Sequence, residues 1–273
     1  MDVYWLEQTE ADVPPENSWL GANEGVCLNR LRFAKRRTDW RLGRWTAKRA
    51  LAGCLNLPRD YQGLAEIEIR PAPSGAPEVF LANQRAEVTM SLSHRDGVAI
   101  CAVAPSGVAL GCDLEVIELR SDVFVADYFT TEEQALVGKA SADDRSLLLA
   151  MLWSAKESTL KALRTGLRLD TRAVTVSLAE ALRGRNDTWR PLQARHADGQ
   201  IFHGWWQQTG NLIKTLVAAP APLAPILLHI PSGPVGPYAL LSFSAESALS
   251  FSLGSSVHPG KSWLPVMSRA PRS

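Results

Sequence analysis

From Asp143 to Leu163 the chain contains neither Pro nor Gly, is rich in Leu and Ala, and stops short of Gly166, where a helix-ending glycine is expected. A helix over this stretch places Trp153, Glu157 and Lys161 at i, i+4 and i+8, on nearly the same face, with the carboxylate one turn before the ammonium. An exposed Glu-Lys pair at this spacing is worth only a few tenths of a kcal/mol and needs no function. A second acidic cluster upstream opens another reading.

That cluster is Gly111-Cys112-Asp113-Leu114-Glu115, which follows the apolar run Val108-Ala109-Leu110. On a strand Asp113 and Glu115 point the same way, and two neighbouring carboxylates are tolerated if both are solvated, if one is protonated, or if a cation lies between them. Two carboxylates from a strand and one from a helix suit Mg²⁺, which usually keeps some of its waters and takes its remaining oxygens from a phosphorylated substrate. An acidic loop mouth is the plainer alternative.

With Ser91-Leu92-Ser93-His94 ahead of them, these motifs resemble the Sfp-type (surfactin-synthetase-activating) branch of the 4'-phosphopantetheinyl transferases. The Gly-x-Asp-x-Glu element is met by Gly111, Asp113 and Glu115, and the Trp-Ser-x-Lys-Glu-Ser-x-x-Lys element by Trp153, Ser154, Lys156, Glu157, Ser158 and Lys161. The ordered set covers roughly Tyr4 to Pro220. It implies an enzyme that moves 4'-phosphopantetheine from coenzyme A to a serine of an acyl or peptidyl carrier protein, in an Mg²⁺-dependent reaction that releases 3',5'-ADP. Asp113, Glu115 and Glu157 are then the expected metal ligands. Glu157 and Lys161 are the expected catalytic pair, and Arg44, Lys48 and His94 the expected phosphate contacts. At Ser74-Gly75-Ala76-Pro77, where many members have Gly-Lys-Pro, Ala76 removes a charge. A catalytically silent coenzyme A or nucleotide-binding protein is the alternative, and a metal-dependent phosphohydrolase a third reading.

The basic residues are concentrated between Arg30 and Arg49, where Arg37, Arg41, Arg44 and Lys48 fall at i, i+4, i+7 and i+11. Such a stripe suits phosphate binding, or equally a helix face whose aliphatic stems cover the core. A net charge of +1 over 273 residues argues against a nucleic-acid binder. His94 precedes the turn Arg95-Asp96-Gly97, where a histidine is often merely exposed, although beside Arg95 it can grip a phosphate. Four cysteines without Cys-x-x-Cys spacing, and an acidic start poor in apolar residues, suggest no disulfide framework, secretion or membrane span. A cytoplasmic monomer is expected.

Arg49-Ala50-Leu51 recurs as Lys161-Ala162-Leu163, and Gly97-Val98-Ala99-Ile100 as Gly210-Asn211-Leu212-Ile213, at offsets of 112 and 113 residues. These matches suggest an α+β fold of two similar subdomains with pseudo-twofold symmetry. Each is a helix packed on an antiparallel sheet, and the active site lies in the cleft between them. The expected boundaries are 1–107, 108–221 with the metal site, and a poorly ordered Pro/Ser/Gly-rich tail over 222–273. Strands are expected at Val3–Leu6, Val88–Ser93, Val98–Ala104, Ala173–Leu178, Trp189–Arg195, Ile201–Gln207 and Leu212–Ala218, and a capping box at Thr130-Thr131-Glu132-Glu133. Leu240 to Leu253 could pack as a strand or short helix, and Trp205-Trp206 reads as packing.

Overall fold

The structure, a computed structural model, describes residues 1–165, 168–178 and 187–230. Gly166 and the Leu240–Leu253 stretch lie outside the described residues. The fold is α+β. In the first half, strand β1 (Tyr4–Thr9) is followed by helices α1 (Ala22–Arg30), α2 (Ala34–Cys54) and α3 (Tyr61–Ala65). The small sheet β2 (Ile67–Pro71), β3 (Pro77–Leu81), β4 (Gln84–Arg85) and the hairpin β5 (Val88–Arg95), β6 (Val98–Pro105) complete it. The second half runs β7 (Ala109–Val116), α4 (Asp122–Tyr128), α5 (Thr131–Lys139), α6 (Ala142–Ala162), β8 (Val174–Leu178), β9 (Arg190–His196), β10 (Ile201–Thr209), β11 (Leu212–Ala219) and β12 (Ile226–Leu227).

The strands form sheets ordered β12-β1-β6-β5 and β7-β11-β10-β9-β8 beside the small β2-β3-β4 sheet. Every pairing is antiparallel except β1 with β12. The β5–β6 turn has both central residues at positive φ, Asp96 at 51° and Gly97 at 74°, which matches the right-handed twist of the strands it joins. Ile226 and Leu227 pair with Tyr4 and Trp5, so regular pairing continues past residue 221.

The layers follow from which strand faces are apolar. One face of β1 and β6 packs with Trp19, Leu28, Trp45 and Leu51 from the α2 side. One face of the second sheet packs Phe202, Trp206, Ile213 and Val217 under Met151, Leu152, Ala155 and Leu160 of α6. The remaining faces meet each other, Trp5, Ile100 and Ala102 against Leu110, Cys112, Leu114 and Leu216. The result is helix, sheet, sheet, helix, with β5 and β7 adjacent where the sheets converge and the Cys112 amide donating to Ser91 Oγ at 2.9 Å.

The two halves repeat a buried device. Glu24 closes the N-terminal box of α1 and accepts from the Ile69 amide at 3.1 Å, while Lys48 of α2 pairs with it at 2.5 Å. Glu133 closes the box of α5 and accepts from the Val176 amide at 2.9 Å, while Lys156 of α6 pairs with it at 2.8 Å. Helices α2 and α6 are both 21 residues long and start 108 positions apart, at Ala34 and Ala142. The helical offset is therefore about one turn shorter than the 112 residues suggested by Arg49-Ala50-Leu51. Under it Arg49 corresponds to Glu157 and Gly53 to Lys161, so this acid-base pair occurs in the second half alone.

Candidate active site

Strand β7 and helix α6 approach unusually closely, and Gly111 is the reason. A Cβ at that position would lie 1.7 Å from the Ser158 carbonyl oxygen, so no other residue lets the helix settle there. Thr215 of β11 holds the helix from the other side, its Oγ1 lying 2.8 Å from Ser154 Oγ and 2.7 Å from Ser158 Oγ. Seated in this way, α6 directs Glu157 and Lys161 toward β7.

Lys161 turns to the strand rather than to its helical neighbour Glu157. Its Nζ donates to Asp113 Oδ1 at 2.7 Å and to the Cys112 carbonyl at 3.1 Å. Burial opposes its charge, but Asp113, Cys112 and Glu157 outweigh it and the pKa is raised. Asp113 is buried and also accepts from Ser93 Oγ at 2.8 Å. Glu157 is half-buried; burial first, then the charge of Asp113, pushes its carboxyl up to about 7 against the opposing pull of Lys161. Glu115 is also raised, by burial and then by Asp113, although Arg95, Arg120 and the Trp153 indole N–H at 3.2 Å favour its charged form. The charges of the three expected carboxylates therefore act on one another across the strand and the helix.

Two oxygens there, Asp113 Oδ2 and Glu157 Oε1, are buried without a donor. Orphaned acceptors beside mutually repelling carboxylates are what a hard divalent cation satisfies. Among the described residues no group of three or more His, Cys, Asp or Glu is drawn together as a ready-made cage. Mg²⁺ does not need one, because it retains waters and is commonly held by one or two carboxylates plus substrate phosphates. The residues present fit that ion.

The expected phosphate contacts separate. His94, the last residue but one of β5, is exposed over the face of α2, where a Cβ on Gly43 would come within 3.9 Å of its Cδ2. Desolvation lowers its pKa first; Asp39 and Asp113 pull it up, and Lys161 and Lys35 push it down. Its charge thus responds to groups of both the basic helix and the carboxylate site. Arg44 is largely buried, 3.7 Å from Glu24 and stacked 5.1 Å from the Trp40 ring centroid.

The structure does not bring Lys48 to the surface. Lys48 is fully buried and its ammonium donates to the Trp19 and Leu64 carbonyls, both at 3.0 Å, besides pairing with Glu24. Three partners satisfy its three protons, which leaves none for a phosphate. Arg41 likewise donates to the Pro14, Pro15 and Glu16 carbonyls, and Arg37 to the Leu28 carbonyl. The stripe is therefore mainly a structural face that ties α2 to the N-terminal loop and α1. Its spacing defines the face but not what covers it.

Sequence reading placed Ser91, Ser93 and Trp153 in the motifs without assigning what they contact. Ser93 holds Asp113, Ser91 joins β5 to β7, and Trp153 is a hydrogen-bond donor to Glu115. The Ser-x-Ser spacing ahead of His94 was a usable signal for the first two. Nothing local paired Arg95 or Arg120 with Glu115, whose Oε2 they approach at 3.8 and 3.5 Å.

A holo-(acyl-carrier-protein) synthase from Bacillus anthracis str. Ames, solved in complex with CoA (3',5'-ADP), is 21% identical over an alignment that covers 37% of this chain and 92% of that one, with a TM-score of 0.32. No curated protein matches the chain. Residues 109–217, which carry Asp113, Glu115, Glu157 and Lys161, match the family model of the 4'-phosphopantetheinyl transferase superfamily.

Proposed function

We propose that the protein is an Sfp-type 4'-phosphopantetheinyl transferase, moving the phosphopantetheine of coenzyme A to a serine of an acyl or peptidyl carrier protein and releasing 3',5'-ADP. The observation that carries this reading is the ion pair of the half-buried Lys161 with the buried Asp113 beside Glu157, with an unpartnered oxygen on each acid. Asp113, Glu115 and Glu157 would hold Mg²⁺, which when bound neutralises diphosphate oxygens that would otherwise repel the serine nucleophile.

Glu157, with its carboxyl near neutrality, is suited to take the proton of the serine hydroxyl. Lys161 keeps its proton and, placed by Asp113 and the Cys112 carbonyl, stabilises negative charge on the leaving phosphate. His94 and the open edge of Arg44 grip coenzyme phosphates. Lys48 keeps α2 in place through Glu24. The two-subdomain division at residues 107 and 108, a monomeric state and a cytoplasmic setting belong to the same proposal.

Intact mass spectrometry of a panel of apo carrier proteins, incubated with the protein, coenzyme A and Mg²⁺, tests it. A carrier serine should gain one phosphopantetheine. Tight coenzyme binding without transfer to any carrier would favour a silent binder, and free phosphopantetheine released without a carrier would favour a phosphohydrolase.

A further inference from the structure

Glu115 is held by two arginines that come from different parts of the chain. Arg95 ends β5 in the first half, and Arg120 follows β7 in the second. Both reach Glu115 Oε2 only loosely, at 3.8 and 3.5 Å, and both reach Glu118 Oε1 more closely, at 3.2 and 2.8 Å. Arg120 is further steadied by its place 4.9 Å from the Phe124 ring centroid and by Arg145, which donates to its carbonyl at 3.1 Å. Arg95 and Glu118 have side chains about two-fifths exposed, whereas that of Glu115 is 12% exposed. A half-open quartet of alternating charges thus borders the carboxylate site.

Trp153 fixes the other oxygen of Glu115, Oε1. Glu115 is thus oriented from both sides, and a cation drawn to it arrives beside two guanidinium groups. Like charges at this separation repel. A diphosphate brought in alongside reverses the balance, because the same guanidinium groups bind phosphate oxygens well.

We propose that Arg95 and Arg120 make cation binding at Glu115 conditional on the anionic co-substrate. They hold the carboxylate neutralised in the free protein and turn to the incoming diphosphate when the cation takes their place. Glu118 is the resting partner that keeps them at hand. This rests on the cation assigned above to Asp113, Glu115 and Glu157, and the arginines act as positioning residues. Coupling of this kind is reciprocal: whatever factor the coenzyme adds to cation affinity, the cation adds to coenzyme affinity.

Calorimetric titration of Mg²⁺ into wild type, R95Q, R95K and E118Q, each with and without coenzyme A, tests it, with thermal melts to confirm folding. In the coenzyme-free protein R95Q should bind Mg²⁺ about 2- to 5-fold more tightly, the range expected of one half-exposed charge contact. E118Q should bind it more weakly, because both arginines then lean on Glu115. R95K should follow wild type, and R95Q should show a smaller Mg²⁺–coenzyme coupling factor. A merely structural network would shift R95Q and E118Q in the same direction. That result, or undiminished coupling in R95Q, overturns the inference and leaves the proposed function standing. A wild-type protein that binds neither Mg²⁺ nor coenzyme A would remove both.

Discussion

Glu157→Gln should make the metal-free protein more stable at alkaline pH and leave it nearly unchanged at acid pH. Burial and the charge of Asp113 move the Glu157 carboxyl from 4.5 to about 7. A displacement of that size corresponds to roughly 3 kcal/mol held against the charged form. Because the side chain is half-buried, solvent screening reduces the net effect to about 1–2 kcal/mol. The folded chain binds this proton more tightly than the unfolded chain. Its contribution is therefore fully present below about pH 4.5 and is lost as the pH rises to about 7. Gln carries no charge to penalise, so at pH 8 the variant should melt about 2 to 6 °C higher, and at pH 4.5 the two should coincide. Mg²⁺ should narrow the gap at pH 8 by stabilising wild type, since a ligand of the folded state adds to its stability. Differential scanning calorimetry in chelator and in Mg²⁺ measures all of this. Equal melting temperatures at pH 8, or a gap of the same size at pH 4.5, would refute the account of the carboxylate cluster.

Lys161→Ala should lower kcat by about 10²- to 10³-fold with much less effect on the coenzyme KM, and a near wild-type kcat in steady-state kinetics would remove Lys161 from the mechanism. Gly111→Ala forces β7 and α6 apart and should cost about 1–3 kcal/mol in denaturant unfolding, with Mg²⁺ affinity falling alongside. Lys48→Met strands Glu24 in the core and should cost about 3–5 kcal/mol, while the double variant with Glu24→Gln should recover part of that loss. If single and double variants unfold alike, the pair is not acting as a buried ion pair. Ending the chain after Pro222 removes Leu228 and Ile230 from the α2 core and should lower stability by about 1–3 kcal/mol. An unchanged melt would show that this packing is dispensable.

What was legible in the amino-acid order was what depends on near neighbours. The Pro- and Gly-free run to Leu163 specified the helix that became α6, alternation marked β5, an apolar run marked β6, and the Asp96-Gly97 dipeptide marked their turn. The same periodicity put Asp113 with Glu115, and Glu157 with Lys161. The small β2-β3-β4 sheet was missed although Ile67 and Ile69 alternate with Glu68 and Arg70, because three short strands next to turn residues carry little local signal.

Partnership was not legible. At i+4, Glu157 is the apparent mate of Lys161, yet the ammonium chose Asp113, because α6 sinks onto β7 over Gly111 and brings a strand carboxylate within reach. The basic stripe is equally clear as a period, but whether each cation meets solvent, a phosphate or a carboxylate depends on what packs against that face. For Lys48 this is Glu24, a residue of α1 that no spacing rule connects to it. Local sequence determines the direction in which a side chain points from its own element, through backbone geometry. Only the folded chain decides what stands opposite, because charge pairing and desolvation act across distances in space that have no counterpart along the sequence.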